Sequence, residues 1–380
     1  SVYTHKHILG VHVQVVQVPE PSWVRVCLEL LDFFHSTGAV EKPHQKHHSG
    51  STWIESIPTI PMLTSHSLTI ALLFSCLLFL PTISDGSTII YDAFMYNGEA
   101  EMLKLRLLSL NATIDYFIIM ESGCTFSSHQ KPYYFRDRDR QHAYVQPFLQ
   151  RIIHVEVQQH CPHPSSLFSS DANGNDSNNS NNSNKNSNDS SEEGIIHNSW
   201  EMEKQVRNAA LQGISAKVPP SALLMISDVD ELPSNSAMNH IRNNPSLCQP
   251  GRALHFHMNM YYYDLSSQVS SELWYHPQIM TVQDARDGRW SPQSLRDLGF
   301  ELSRAASTGN DQHTIFKGNG NGLAGWHMSY FGNDADRTRK IQSFSHQEFN
   351  TPSVINALAT SREHRVDPLG RPGQHLESIQ

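Results

Sequence analysis

Short apolar runs alternate with amphipathic segments along most of the chain after residue 88. The runs at 88–94, 115–121, 151–157 and 222–227 have the length and the flanking polar residues of buried strands. The segment 99–110 carries apolar residues every three or four positions, which predicts an amphipathic helix. Strands that alternate with helices indicate an α/β fold with a mostly parallel sheet.

The same patterns predict further elements downstream. A helix with a cap at Asn198 or Ser199 is expected over 198–214, and a single long alternating strand over 252–263. Shorter helices are predicted over 234–243, 338–344 and 352–360.

A polar, low-complexity tract interrupts this pattern at 165–194. Asn, Ser and Asp dominate the tract and no apolar residue anchors it, which predicts a disordered insertion. It contains Asn-x-Ser sequons at Asn175, Asn178, Asn181 and Asn188, and a further sequon begins at Asn111.

The amino-terminal part has a different character. The charge-free run at 68–80 is shorter than the about 20 residues of a membrane-spanning helix and has the length of a signal-peptide core. We therefore expect a disordered or wrongly assigned extension at 1–61, a signal peptide or short signal anchor at 62–84, and one domain over 85–380. Either form of signal sends the chain into the secretory pathway, and an uncleaved one would hold it to the membrane.

Charge and cysteine content narrow the possible functions. The formal net charge is -9, from 28 Lys and Arg against 37 Asp and Glu, which argues against binding to a nucleic-acid backbone. An anionic substrate would need a metal ion or a few placed cations. Of the five cysteines, Cys124, Cys161 and Cys248 follow the apolar run, so a secreted domain can pair two of them and leave one free.

One D-x-D triplet stands out from the others. The triplets at Asp137 and Asp334 lie in alternating-charge segments typical of solvated surfaces. The triplet Asp228-Val229-Asp230, followed by Glu231, comes directly after a buried strand, at the end where open α/β sheets bind ligands. Its carboxylates suit magnesium or manganese shared with substrate phosphates, although an acidic turn that caps the next helix would look similar.

Two other features carry less information. The GxGxxG pattern at 320–325 lacks the strand before it and the helix after it that a dinucleotide site requires. His327 lies among Gly325, Trp326, Tyr330 and Phe331, residue types that often line pockets, but a structural histidine would have the same neighbours.

Taken together, the sequence blocks resemble one known family. The blocks are "IIYDAFMYNGEAEMLKLRLL", "WEMEKQVRNAAL", "LLMISDVDELPS", "GWHMSYFG", "KIQSFSHQEFN" and "VDPLGRPG", in that order. They are similar to glycosyltransferase family 17, the β-1,4-mannosyl-glycoprotein N-acetylglucosaminyltransferases that add bisecting GlcNAc to N-glycans. The resemblance spans roughly 88–375 apart from the polar tract.

The resemblance implies a GT-A-like sheet flanked by helices in a single catalytic domain. It also implies UDP-GlcNAc as donor, an N-glycan on glycoproteins as acceptor, a divalent cation such as manganese, and a membrane-anchored enzyme of the Golgi lumen. Asp228 and Asp230 match the family's metal-binding motif, with Glu231 beside them. Glu203 and Arg207 match the helix before that strand, and His327 falls in the matching "GWH" block.

These residues receive expected roles in an inverting transfer. Asp228 and Asp230 would bind the cation that offsets charge on the leaving diphosphate, and Glu231 would orient this site. Glu203 and His327 would bind the donor or the metal, and Arg207 would pair with the diphosphate or with the acidic cluster.

The acceptor hydroxyl needs a base, and the sequence leaves Glu272, Asp284 and Asp287 as candidates, near aromatic residues able to stack on sugars. We take Asp284 as the first choice. The alternative functions are a transferase that uses another sugar nucleotide and an inactive glycan-binding protein of the same fold.

Overall fold

The computed structural model describes residues 2–8, 11–17, 88–158, 161, 189–305, 310, 312–318, 324–371 and 376–378. Only the backbone is described for 2–8, 11–17, 189–197, 271–273 and 378. The chain divides into two units, Ser1–Val24 with Thr88–Gln380, and Arg25–Ser87. All described residues belong to the first unit. The predicted signal at 62–84 and most of the polar tract lie outside the described residues.

The described elements are strands and helices in alternation. The strands are β1 Val2–Ile8, β2 Val11–Gln17, β3 Ile90–Met95, β4 Tyr116–Ser122, β5 Ile152–Val157, β6 Leu223–Asp228, β7 Glu231–Pro233, β8 Ala253–Phe256, β9 Met258–Tyr262, β10 Ser267–Trp274, β11 Gln278–Thr281, β12 His313–Phe316, β13 Gly325–Ser329 and β14 Leu376–Ser378. The helices are α1 Ala100–Ser109, α2 Tyr134–Asp137, α3 Asp189–Asn208, α4 Asn235–Asn243, α5 Val282–Arg286, α6 Pro292–Arg304, α7 Asp334–Ser343 and α8 Pro352–Glu363. In the part of the chain that the structure covers, no helix is long and apolar enough to span a bilayer.

A seven-stranded sheet in the order β12-β8-β11-β6-β3-β4-β5 forms the centre of the fold. Strands β3, β4, β5 and β6 run parallel, and β11 runs antiparallel to both of its neighbours. The sheet is therefore mixed, with a parallel half, and flanked by helices. This confirms the expected α/β class and the single-domain arrangement of strands with helices.

The two faces of the parallel half bury different helices, because side chains alternate along each strand. Tyr91 and Ala93 of β3 pack with Val206 of α3 in one apolar cluster. Asp92 points to the other face, where it bonds with Arg106 of α1. The alternation thus places α3 and α1 on opposite sides of the same strand.

A second sheet of five strands, β14-β10-β9-β13-β7, packs its apolar side chains with α7 and α8. Met260, Tyr262 and Tyr330 of this region form a buried cluster with Ile341 and Leu358 of the two helices. The hairpin of β1 and β2 forms a separate two-stranded sheet.

Two predicted elements differ from the structure. The single strand expected over 252–263 is two strands, because the chain leaves the first sheet after Phe256 and joins the second at Met258. The helix expected from 198 begins at Asp189, inside the tract predicted to be disordered. Its first residues, Asp-Ser-Ser-Glu-Glu, have the acidic composition that favours the first turn of a helix.

Candidate active site

The site begins at the carboxyl end of β6. We call residues 228–231 the acidic loop. Asp228 ends β6 and lies in register with Met95 at the end of β3. From β3 the chain moves to β4 and β5 on one side, and later returns to β6 on the other. Ligands of open α/β sheets bind at such a point, outside the carboxyl ends of the strands.

Arg106 of α1 fixes the backbone of the acidic loop. Its Nη1 donates to the carbonyl oxygens of Asp228, Val229 and Glu231, at 3.1, 3.3 and 2.7 Å. Its Nε and Nη2 donate to the two oxygens of Asp92, at 2.7 and 2.6 Å. Arg106 and Asp92 are both fully buried, so this is a charge pair screened from water.

Asp228 is held by two arginines from two helices. Arg207 Nη2 of α3 donates to its Oδ1 at 3.1 Å, and Arg296 Nη2 of α6 donates to its Oδ2 at 2.6 Å. Burial acts to raise the pKa of Asp228, but the charges of Arg296 and Arg207 outweigh it and hold the pKa below the usual aspartate value. Asp228 is therefore ionised and already paired.

Glu203 and Arg207 connect α3 to the acidic loop. Arg207 Nη2 donates to Glu203 Oε1 at 2.7 Å, and its Nη1 donates to Gln293 Oε1 at 2.6 Å. The second oxygen of Glu203 accepts from the hydroxyl of Ser345. Of the two partners expected for Arg207, the structure shows the acidic cluster.

Glu231, the last residue of the acidic loop, is fully buried. Arg296 Nη1 and Nη2 each donate to Glu231 at 2.7 Å, and Trp274 Nε1 donates to its Oε1 at 2.9 Å. Glu231 Oε2 also accepts from the backbone N–H of Asp228 at 2.9 Å. These contacts tie the start of β7 to the end of β6, so in this structure Glu231 supports the shape of the loop.

Asp230 has different partners from Asp228. Lys340 Nζ of α7 donates to its Oδ2 at 2.6 Å, and His327 Nε2 of β13 lies 3.7 Å from its Oδ1. Burial acts to raise the pKa of Asp230, but Lys340 and His327 hold it far below the usual range. The His327 ring also stacks on Trp274, with ring centroids 4.3 Å apart.

A cavity of about 370 Å³ opens beside Asp230, and we call it the Asp230 cavity. Its walls come from residues 97–102 at the start of α1, from the segment that carries Arg138 and His142, from the end of β13 and from α7. Lys340 and Arg339 contribute positive charge, and the amino end of α1 adds the positive end of a helix dipole. The cavity lies at the switch point between β3 and β6.

The donor set can be tested against a divalent cation. Both oxygens of Asp228 accept from arginines, whereas Asp230 is the acidic-loop carboxylate that lines the cavity. Among the described residues, no three or more His, Cys, Asp and Glu side chains form a metal-binding group. A divalent cation at this site would take one protein carboxylate, Asp230, and would need its other ligands from substrate and water oxygens.

Asp284 lies away from this site. It follows Thr281 of β11, which pairs with Leu223 at the start of β6, whereas Asp228 ends that strand. Arg289 and Thr281 donate to its carboxylate at 2.9 and 2.6 Å. The structure therefore places Asp284 at the opposite end of the strands, in the first turn of α5, where Thr281 is the N-cap, and away from the acidic loop.

Three cations of the site were not singled out from the sequence: Arg106, Arg296 and Lys340. A signal was present for Arg106, since it falls on the buried side of α1 with Leu103 and Leu107. An arginine among leucines on such a face predicts a buried partner. Lys340 lies in an alternating-charge helix, and nothing local distinguishes it from a solvated lysine.

Comparison with known families and proteins gives one match. The sequence model of Glycosyltransferase family 17 matches residues 56–182 and 176–303, which includes α1, α3 and the acidic loop. The two matches meet within the polar tract, as expected if the tract is an insertion. A comparison with curated proteins gave no match. The family match covers more than half of the chain, and we conclude that the chain belongs to glycosyltransferase family 17.

Proposed function

We propose that this glycosyltransferase moves N-acetylglucosamine from UDP-GlcNAc to a mannose of N-linked glycans, forming a β-1,4 linkage with inversion. The family match supports sugar transfer, and it includes the acidic loop. The observation that carries the proposal is the position of Asp230, whose carboxylate lines a cavity at the switch point of the sheet.

The charges around Asp230 suit a diphosphate. Lys340 supplies an ammonium group at 2.6 Å from Asp230, and Arg339 lines the same cavity. Burial acts to lower the pKa of Lys340, but Asp230 outweighs it and raises the pKa, so the group stays charged. A phosphate that enters the cavity meets this charge.

Asp230 would hold a divalent cation, which we take to be manganese. When bound, such a cation stabilises the charge that develops on the leaving diphosphate. The cation would replace Lys340 at the Asp230 carboxylate, and the lysine would then be free to contact a phosphate oxygen. Asp228 is held by Arg207 and Arg296, and Glu203 pairs with Arg207. His327 of β13 contacts Asp230 and would help to orient it.

We place the enzyme in the secretory pathway, with the Golgi lumen as its site of action. The Cys124–Cys161 disulfide supports an oxidising compartment, since such bonds are rare in the cytosol. It pairs two of the three cysteines that follow the apolar run, and the thiol of Cys248 is buried. The short anchor expected at 62–84 remains a prediction.

A panel of donors tests this proposal. The purified chain is incubated with Mn²⁺, an N-glycan acceptor and, in separate reactions, UDP-GlcNAc, UDP-galactose, UDP-glucose and GDP-mannose. We expect transfer from UDP-GlcNAc alone, with a β-linked product by NMR and no product when 4-deoxymannose replaces the acceptor mannose. An α-linked product would exclude inversion, and equal turnover of another donor would exclude the donor assignment.

A further inference from the structure

The transfer needs a base for the acceptor hydroxyl, and the Asp230 cavity contains the carboxylates able to act as one. Five acidic residues line it: Glu99, Glu101, Asp139, Asp230 and Asp336. The three aspartates are each engaged by a cation, namely Arg138 on Asp139, Lys340 on Asp230 and Arg339 on Asp336. A carboxylate held in such an ion pair is a weak base, because the cation stabilises its ionised form.

The two glutamates are not in ion pairs of this kind among the described residues. Glu99 Oε2 accepts from the backbone N–H of Asn97 at 2.8 Å, and Glu101 Oε2 is buried with no hydrogen-bond partner in the described part of the chain. Their charges act on different neighbours. Glu99 interacts with Lys340 and Asp230, whereas Glu101 interacts with Tyr144.

The backbone before α1 holds Glu99 in this position. Gly98 has φ of 88°, in the left-handed region that favours glycine, and a Cβ there would lie 2.9 Å from the Tyr134 ring. The backbone N–H of Asn97 then fixes the carboxylate of Glu99. Glu99 is half-buried. Its Oε2 is held by Asn97, and the residue lines the cavity.

We infer that Glu99 is the catalytic base and that the Asp230 cavity receives the acceptor hydroxyl beside the donor. This inference rests on the proposed function. A carboxylate oxygen of Glu99 takes the proton of the acceptor hydroxyl while that oxygen forms a bond to C1 of the sugar. The bond from C1 to the diphosphate oxygen breaks, and its electron pair leaves with UDP.

The surroundings suit this role. Burial raises the pKa of Glu99 above the ordinary glutamate value, and Asp230 adds to the effect while the Asn97 hydrogen bond and Lys340 oppose it. A carboxylate with a raised pKa holds a proton more firmly and is a better general base near neutral pH. The ionised form also costs folding free energy, which is a common property of functional groups.

The substitution Glu99→Gln tests the inference, with Glu301→Gln, at an exposed position of α6 outside the cavity lining, as the comparison. We expect Glu99→Gln to lower kcat by about 10²–10⁴-fold, the usual contribution of a general base, with little change in KM for UDP-GlcNAc. Glu301→Gln should keep kcat close to that of wild type. An unchanged kcat in Glu99→Gln, or an equal loss in both variants, would overturn the assignment.

Two further measurements separate a base from a structural residue. Azide attacks C1 without losing a proton, so Glu99→Gln should form the glycosyl azide from UDP-GlcNAc as fast as wild type. The variant should also unfold at a temperature no lower than wild type. If azide transfer is lost together with sugar transfer, Glu99 is structural. If wild type transfers no sugar at all, the proposed function fails first.

Discussion

Lys340 and Asp230 form the contact on which the proposed cation binding depends. Lys340 Nζ lies 2.6 Å from Asp230 Oδ2. Asp230 is the carboxylate that we assign to the cation. Lys340 would have to leave Asp230 Oδ2 before a divalent cation could bind this oxygen. The lysine therefore holds Asp230 in its ionised form and also competes for it.

The substitution Lys340→Met tests this competition. Removing the ammonium group should lower the Mn²⁺ concentration for half-maximal activity, on the order of tenfold for a charge pair near a protein surface. It should also lower kcat, because the diphosphate loses a cationic contact. Both are read from Mn²⁺ titrations of UDP-GlcNAc turnover, with Lys217→Met, at an exposed position outside the cavity lining, as the control. An unchanged Mn²⁺ requirement would show that Lys340 does not occupy the cation's position.

Residue roles at this site were only partly predictable from sequence. Asp228 and Asp230 share one motif, yet the structure turns their side chains toward different partners, arginines for one and Lys340 for the other. Alternation along a strand would place residues two apart on the same side, so the turn at 229–230 is what separates the two carboxylates. That direction depends on helices far away in sequence, which the motif does not contain.

Helix α1 has a second function besides covering the sheet. Its first turn lines the Asp230 cavity, and its Arg106 donates hydrogen bonds to the backbone carbonyls of the acidic loop. A shift of α1 would therefore move both the cavity wall and the loop. This couples packing of one helix to the geometry of the candidate site.

The substitution Arg106→Met should destabilise the fold by about 3–5 kcal/mol, because it leaves the buried Asp92 carboxylate without its partner. Chemical denaturation with urea measures the loss. The double variant Arg106→Met with Asp92→Leu removes both charges and should recover part of that stability. Activity should remain low in both variants, since neither restores the loop contacts. Wild-type stability in Arg106→Met would contradict the assigned role.

The elements themselves were largely predictable, because periodicity reports burial. Strands β3, β4, β5 and β6 agree with the predicted runs within two residues. The error at 252–263 arose because β8 and β9 are consecutive and both buried, so alternation does not show that they belong to different sheets. Pairing partners, rather than local pattern, decide that break.

Across the molecule, the two sheets meet at the acidic loop. Asp228 ends a strand of the seven-stranded sheet, and Glu231 begins β7 at the edge of the five-stranded sheet. His327 comes from β13 of the second sheet, and Met95 comes from the first. The candidate site therefore requires both sheets, and neither alone would contain it.

The disulfide also connects distant parts of this arrangement. Cys124 follows β4, and Cys161 lies beyond β5 at the entry to the polar tract. The turn after Cys124 reaches α7, where Phe126 N–H and the Ser127 hydroxyl donate to backbone carbonyls of Ser343 and Gln342. The link thus supports the helix that carries Lys340, and sequence alone left its pairing open.

The most direct test of the account is UDP-GlcNAc turnover by Asp230→Ala with and without Mn²⁺. We compare it with Asp137→Ala, which removes the exposed carboxylate of the D-x-D triplet at 137–139. The account predicts manganese-dependent transfer in wild type and Asp137→Ala, and a loss of at least about 10²-fold in Asp230→Ala, as expected when charge stabilisation of the leaving group is removed. Transfer by Asp230→Ala at the wild-type rate, or wild-type transfer that persists in EDTA, would contradict it.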